Sequence, residues 1–204
     1  MNKEILDRAL AHLSKDPKMK QLISKYGQPE FNSDADHFNA LSKSIIYQQL
    51  SGKAARTIYN RFTSLFDKKK PRPKDVMSID VSTLRSIGIS QQKTNYIIGL
   101  AEYFSKQGYK IDFKLYTDIE VINELIKLKG IGQWTIDMFL MFTLNRPDIF
   151  PTGDLGIQKA IKILFDMKKL PSKNYMIQIS KAWQPYRTVA CCYLWHIVDD
   201  GIVW

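Results

Sequence analysis

The segment Leu128-Lys129-Gly130-Ile131-Gly132-Gln133-Trp134-Thr135 sets two glycines between two helical patterns, and Asp154 follows Trp134 by twenty residues. Glycine tolerates the positive φ that a tight hairpin needs and lets the backbone come close to a ligand. The helix that opens after the hairpin begins with unsatisfied N–H groups, a ready seat for a phosphate. Gln133 and Thr135 stand at that helix start and add side-chain donors. Asp154 lies in Phe150-Pro151-Thr152-Gly153-Asp154-Leu155-Gly156, which places one carboxylate at the start of the next helix. Taken alone, Gly-x-Gly is a plain helix–helix turn and an Asp at this place is a helix N-cap. The two in register are a stronger signal than either.

What must position these residues is a helical scaffold. Ile5, Leu6, Ala9, Leu10 and Leu13 share one face; Ile45, Ile46 and Leu50 share another, followed by Ile58, Phe62 and Leu65. Later helices read at about 93–107, 119–128, 134–144, 155–166, 172–181 and 185–198, each bracketed by Gly, Pro, Asp or Ser. Period-2 alternation is nearly absent, with room for one short hairpin near 28–33. The fold class is all-α. The run Asp67-Lys68-Lys69-Lys70-Pro71-Arg72-Pro73-Lys74 reads as a solvated loop and, as a charge cluster beside two prolines, as a place to touch a nucleic-acid backbone.

Composition narrows the partners. The 204 residues suffice for one domain or two closely packed subdomains. A net charge of +10 favours polyanions, either nucleic acid or an anionic membrane surface. The longest apolar stretches, Met138–Leu144 and Val189–Val198, fall far short of a bilayer span, and the N-terminus is too mixed in charge for a signal peptide. The expectation is a soluble protein with no membrane partner. Cys191 and Cys192 are the only cysteines; neighbours in sequence almost never bridge, so both read as core thiols. An iron–sulfur cluster would need four.

From about Phe38 to Trp195 the chain resembles the helix-hairpin-helix DNA glycosylases, in the branch of the DNA-3-methyladenine glycosylases of type II. Three blocks carry the resemblance: Ile45-Ile46-Tyr47-Gln48-Gln49-Leu50-Ser51, the hairpin through Asp154, and Trp183-Gln184-Pro185-Tyr186-Arg187 running on to Trp195. The turn Gly88-Ile89-Ser90-Gln91-Gln92-Lys93 is a weaker fourth. The resemblance implies a compact form without the N-terminal β domain of longer relatives. It implies a single glycosylase domain over 1–204 built of two helical subdomains, 37–150 and 1–36 with 151–204, and an active-site cleft between them.

It also implies roles. Cleaving an N-glycosidic bond creates positive charge on the deoxyribose, which an ionised carboxylate stabilises; Asp154 matches the catalytic Asp. Asp137, inside a helix, reads as structural. An alkylated purine is already cationic and leaves readily, so the pocket needs flat, electron-rich walls. Trp134 and Trp195 match those walls, with Tyr47 and Met138 as further lining; His196 reads as a packed core histidine. Gly130, Gly132, Gln133 and Thr135 would hold DNA phosphate, which anchors the protein without reading sequence. Gln48, Gln49 and Leu50 form the segment that would fill the hole left by a flipped nucleotide, with Gln49 at the wedge position and Leu50 as the apolar alternative. Backbone carbonyls of Ile126, Leu128 and Ile131 would hold a monovalent cation, Na or K. Relatives that nick the strand carry a lysine nucleophile where this chain has Trp134, so the resemblance implies a monofunctional enzyme that leaves an abasic site.

The expected activity is therefore hydrolysis of alkylated purines of the 3-methyladenine class from double-stranded DNA in base excision repair. No cofactor is required, a monomer suffices, and the location is the cytoplasm and nucleoid, or the nucleus in a eukaryote. Two alternatives stay open: a glycosylase for another damaged or deaminated base, which a polar pocket would favour, and a non-catalytic helix-hairpin-helix DNA-binding module, which would need neither Asp154 nor the tryptophans.

Overall fold

A computed structural model of the chain describes residues 1–31 and 36–198. Its helices are α1 Lys3–Leu13, α2 Pro17–Tyr26, α3 His37–Tyr47, α4 Gly52–Ser64, α5 Pro73–Met77 and α6 Val81–Ser86. There follow α7 Gln91–Lys106, α8 Asp118–Leu125, α9 Gln133–Met138, α10 Leu155–Leu164, α11 Lys173–Ser180 and α12 Arg187–Val198. A π turn, Phe139–Thr143, comes after α9. There is no strand among the described residues, so the all-α expectation holds. Of the hairpin expected near 28–33, residues 28–31 are irregular coil and the remainder lies outside the described residues.

Local chemistry explains where the helices begin. Asn2, Asp16, Asp36, Ser51, Ser90, Thr117, Asp154 and Ser172 each sit at an N-cap, and each side chain accepts a backbone N–H of the first turn. At Thr117 the cap is reciprocal, because Glu120 reaches back to the Thr117 N–H. The short helices α5, α6 and α9 have no side-chain cap, and at α9 the N-cap is Gly132, which has no side chain to close the helix end.

The chain divides into two compact units, Met1–Ser33 with Leu140–Trp204, and Asp34–Phe139. In the first, α12 is the central element. Thr188 through Trp195 are all buried, as expected of a helix apolar on every side. Around it pack α1, α2 and α10, contributing Leu6, Ala9, Leu13, Met19, Ile157, Ala160 and Ile161. Residues 140–150, grouped by sequence with the central helices, belong to this unit. The cause is a set of bonds to the start of α12. Thr188 Oγ1 donates to the Arg146 carbonyl (2.6 Å) and accepts from Ile149 N–H (3.0 Å). Arg187 meets both carboxylate oxygens of Asp148, at 2.7 and 2.9 Å. The block around Trp183 is likewise structural: its ring is buried, its Nε1 donates to Asp16 (3.0 Å), and Gln184–Pro185 is a cis peptide.

In the second unit α7 is central, burying Thr94, Ile97, Leu100, Ala101, Tyr103 and Phe104 against α3, α5 and α6. The polar run 67–74 is not all loop. It holds a 3₁₀ turn, Asp67–Lys69, with Lys68 and Lys69 at φ +52° and +54°, and Pro73 then opens α5.

Candidate active site

The hairpin of the second unit is built from backbone. Ile131 N–H donates to the Leu128 carbonyl (3.1 Å), closing a turn, and the buried Ile131 side chain pins it inward. Gly130 takes φ +86°. A Cβ there would overlap the ring of Tyr96, so both conformation and space demand glycine. Gly132 is different. Its φ of −107° suits any residue, and a Cβ would meet nothing within 4 Å. The interior therefore does not require a glycine at 132; the open space lies on the outer side, where the start of α9 offers N–H groups without a side-chain cap.

Thr135, expected to meet phosphate, and Gln48, expected in the segment that fills the hole of a flipped nucleotide, are bonded to each other inside the unit. Thr135 is buried, and Gln48 Nε2 donates both to its hydroxyl (3.0 Å) and to the Gly130 carbonyl (2.9 Å). Their place is thus to hold the hairpin, because a buried hydroxyl already engaged in this way is out of reach of a duplex. Gln133 is exposed, with its amide donating to Asp137 one turn on (2.8 Å).

After Gln48 the chain leaves α3 sharply. Gln49 is exposed in the left-handed region at φ +57°, uncommon for a residue other than glycine, and Leu50 is 40% exposed. Tyr47 is buried against Tyr59, its ring centroid 6.3 Å away, with Lys43 Nζ 5.5 Å from the Tyr47 centroid. Burial pushes the Tyr47 hydroxyl above its ordinary pKa, opposed by the charge of Arg56. Trp134 is half-buried, whereas Met138, one turn later, is fully buried. For a monovalent cation the available ligands are carbonyls: Leu128 O keeps a second lone pair beyond its bond to Ile131 N–H, and Ile126 and Ile131 flank it on the same loop.

In the first unit, Asp154 is 8% exposed. It is the N-cap of α10: Oδ1 accepts Ile157 N–H at 2.8 Å. The same oxygen accepts the indole Nε1–H of Trp195 at 3.0 Å. Cap and candidate catalyst are therefore one carboxylate, and two donors fix its plane. Trp195 is itself buried, tilted against Phe142 with centroids 5.9 Å apart. Its strongest visible bond is to Asp154, so it does more than wall a pocket. Gly156 makes this possible. A Cβ on it would stand 3.0 Å from Asp154 Oδ1 and 3.0 Å from Trp195 Cδ1, tighter than ordinary contact. A glycine inside a helix start costs about 1 kcal/mol against alanine, and that local anomaly was the available signal. His196 stacks on Tyr26 with centroids 4.6 Å apart, the packed histidine expected.

The chain matches the HhH-GPD superfamily of base excision DNA repair proteins over residues 42–185, and it belongs to that family. Among its relatives is DNA-3-methyladenine glycosylase 1 of Schizosaccharomyces pombe, 33% identical over 93% of this chain and 86% of that one. The solved structure of an S. pombe 3-methyladenine DNA glycosylase in complex with abasic DNA superposes with a TM-score of 0.84, at 32% identity, covering 92% of this chain and 95% of the other. A DNA-3-methyladenine glycosidase of Bacillus halodurans gives 0.74 at 36% identity, covering 91% and 86%.

Proposed function

We propose that the protein is a monofunctional DNA glycosylase that hydrolyses the N-glycosidic bond of 3-methyladenine-class purines in double-stranded DNA. The observation that carries this is the Asp154 carboxylate, buried at a helix start and oriented by Trp195 Nε1–H and Ile157 N–H. As the base leaves, charge develops on the sugar, and a fixed carboxylate stabilises it without reorganising. The relatives named as 3-methyladenine glycosylases support the substrate class.

In this reading the hairpin grips the phosphate backbone through Gly130, Gly132 and the N–H groups that open α9, with Gln133 at its edge. Trp134, Trp195, Tyr47 and Met138 serve the base. Gln49 or Leu50 fills the space of the extruded nucleotide. The hairpin position that could hold an amine nucleophile is Trp134, so the product is an intact abasic site. Carbonyls of Ile126, Leu128 and Ile131 would ligate Na or K, which would stiffen the turn. The enzyme acts as a monomer wherever the DNA lies, nucleoid or nucleus. Incubation with methylated duplex DNA, followed by chromatography of released bases, tests the reading: free 3-methyladenine is expected without added divalent metal, and a reaction that stops at bound, intact DNA rules it out.

A further inference from the structure

Lys93 lies in none of the segments assigned to DNA, yet its ammonium reaches the end of α3. It stands in the first turn of α7, and Nζ donates to the carbonyls of Ile46 (2.8 Å) and Gln48 (2.6 Å). Those carbonyls belong to the last turn and C-cap of α3, where partial negative charge accumulates and a cation is favoured. Such a bond to an ionised donor is roughly twice as strong as a neutral one.

The carbonyls are also the base of the loop that projects Gln49 and Leu50. Gln48 is the hinge of a relay. Its carbonyl takes the Lys93 ammonium, while its side chain donates to Gly130 O and Thr135 Oγ1 of the hairpin. One turn beyond Lys93 on α7, Tyr96 lies under Gly130, and Gln92 Nε2 donates to the Tyr96 hydroxyl (2.6 Å). The start of α7 therefore supports the loop and the hairpin at once. A positive φ at exposed Gln49 costs free energy, and it persists only where neighbouring bonds over-determine the turn.

We infer that Lys93 is a positioning residue for base extrusion: through the Ile46 and Gln48 carbonyls it sets the Gln49–Leu50 loop in register with the hairpin. The inference rests on the glycosylase reading above. Burial lowers the ammonium's pKa from its ordinary value.

The test separates extrusion from chemistry. Single-turnover excision of one lesion is measured in a fully paired duplex and in the same duplex with an abasic site opposite, where unpairing is already done. Lys93→Met is expected to slow the paired substrate by about 10-fold, the scale of one lost charge-assisted bond, and the unpaired substrate much less. Lys93→Arg restores most of the paired rate, since it keeps charge and donors. In a Gln49→Ala, Leu50→Ala background, Lys93→Met adds little, because the loop it positions is already blunted. Equal slowing on both substrates, no rescue by arginine, or full additivity with the loop variants overturns the inference. If Lys93→Met does not fold, the arginine variant and the paired-to-unpaired ratio of the loop variants decide it. Wild-type protein that releases no base from either duplex overturns the glycosylase reading and this inference with it.

Discussion

At Gly132 the chain enters α9 with nothing to close the helix end, while at Asp154 it enters α10 with a carboxylate folded over it. The hairpin keeps Ile131 and Thr135 buried and Gln48 bonded across to it, and leaves the backbone at Gly132 exposed. The Asp154 centre does the reverse, concentrating specific side-chain atoms in a buried place: one carboxylate oxygen, one indole N–H, and a glycine that makes room. A surface made of backbone binds a repeating polyanion whatever its sequence. On the proposed reading, the buried carboxylate of Asp154 serves one reacting bond. The first should tolerate changes of residue type wherever the backbone path survives, and the second should not.

The largest effect that sharpens this contrast is at Asp154. Replacing it with asparagine should slow base release by about 10²-fold or more in single-turnover assays while duplex affinity stays within about twofold of wild type. Near-normal release would return Asp154 to the role of a cap alone. Next is Trp195→Phe, which keeps most of the packing and removes the indole donor to the carboxylate; a lost bond to a charged group predicts about a 10-fold or greater fall in kcat, with KM little changed. A rise in KM alone would make Trp195 a wall of the base pocket and nothing more.

The glycines of the hairpin break the comparison from the other side. Gly130→Ala meets both a left-handed backbone and the Tyr96 ring, so strain and overpacking should lower Tm by about 5 °C or more. Gly132→Ala meets neither and should melt within about 2 °C of wild type while weakening duplex binding in fluorescence anisotropy. Similar melting of the two variants would contradict the inner and outer assignment of these glycines. The smallest expected effect is chemical. Burial pushes the Cys192 thiol up to about 12, so it stays protonated through the neutral range. At pH 8 neither cysteine should react with iodoacetamide in native protein, and both should react in denaturant; rapid native labelling would show that α12 opens.

The hairpin string, Asp154 and most long helices were legible in the sequence because their signals are local: glycine pairs, caps and 3.6-residue periodicity. Apart from the ten-residue α2, what escaped was either too short or too distant. Helices α5 and α6 span five and six residues, less than two turns, so no amphipathic period could establish itself. Gln48 reaches Gly130 across 82 residues, Lys93 reaches Ile46 across 47, and Trp195 reaches Asp154 across 41. No propensity or spacing encodes such bonds; they exist only once the helices pack. Residues 140–150 were grouped with the wrong helices for the same reason, since Thr188 and Arg187 claim them from far along the chain.

The shared oxygen at Asp154 has a practical consequence. Asparagine presents a carbonyl oxygen in the place of Oδ1 and caps a helix as well as aspartate does, whereas alanine gives up about 1 kcal/mol of capping and leaves two buried donors unanswered. The asparagine variant should accordingly keep the shape of the native protein with its chemistry silenced. On the proposed reading, such a protein immobilised on a solid support should retain alkylated duplex fragments intact, so that the positions of alkylated purines can be mapped by sequencing what it holds.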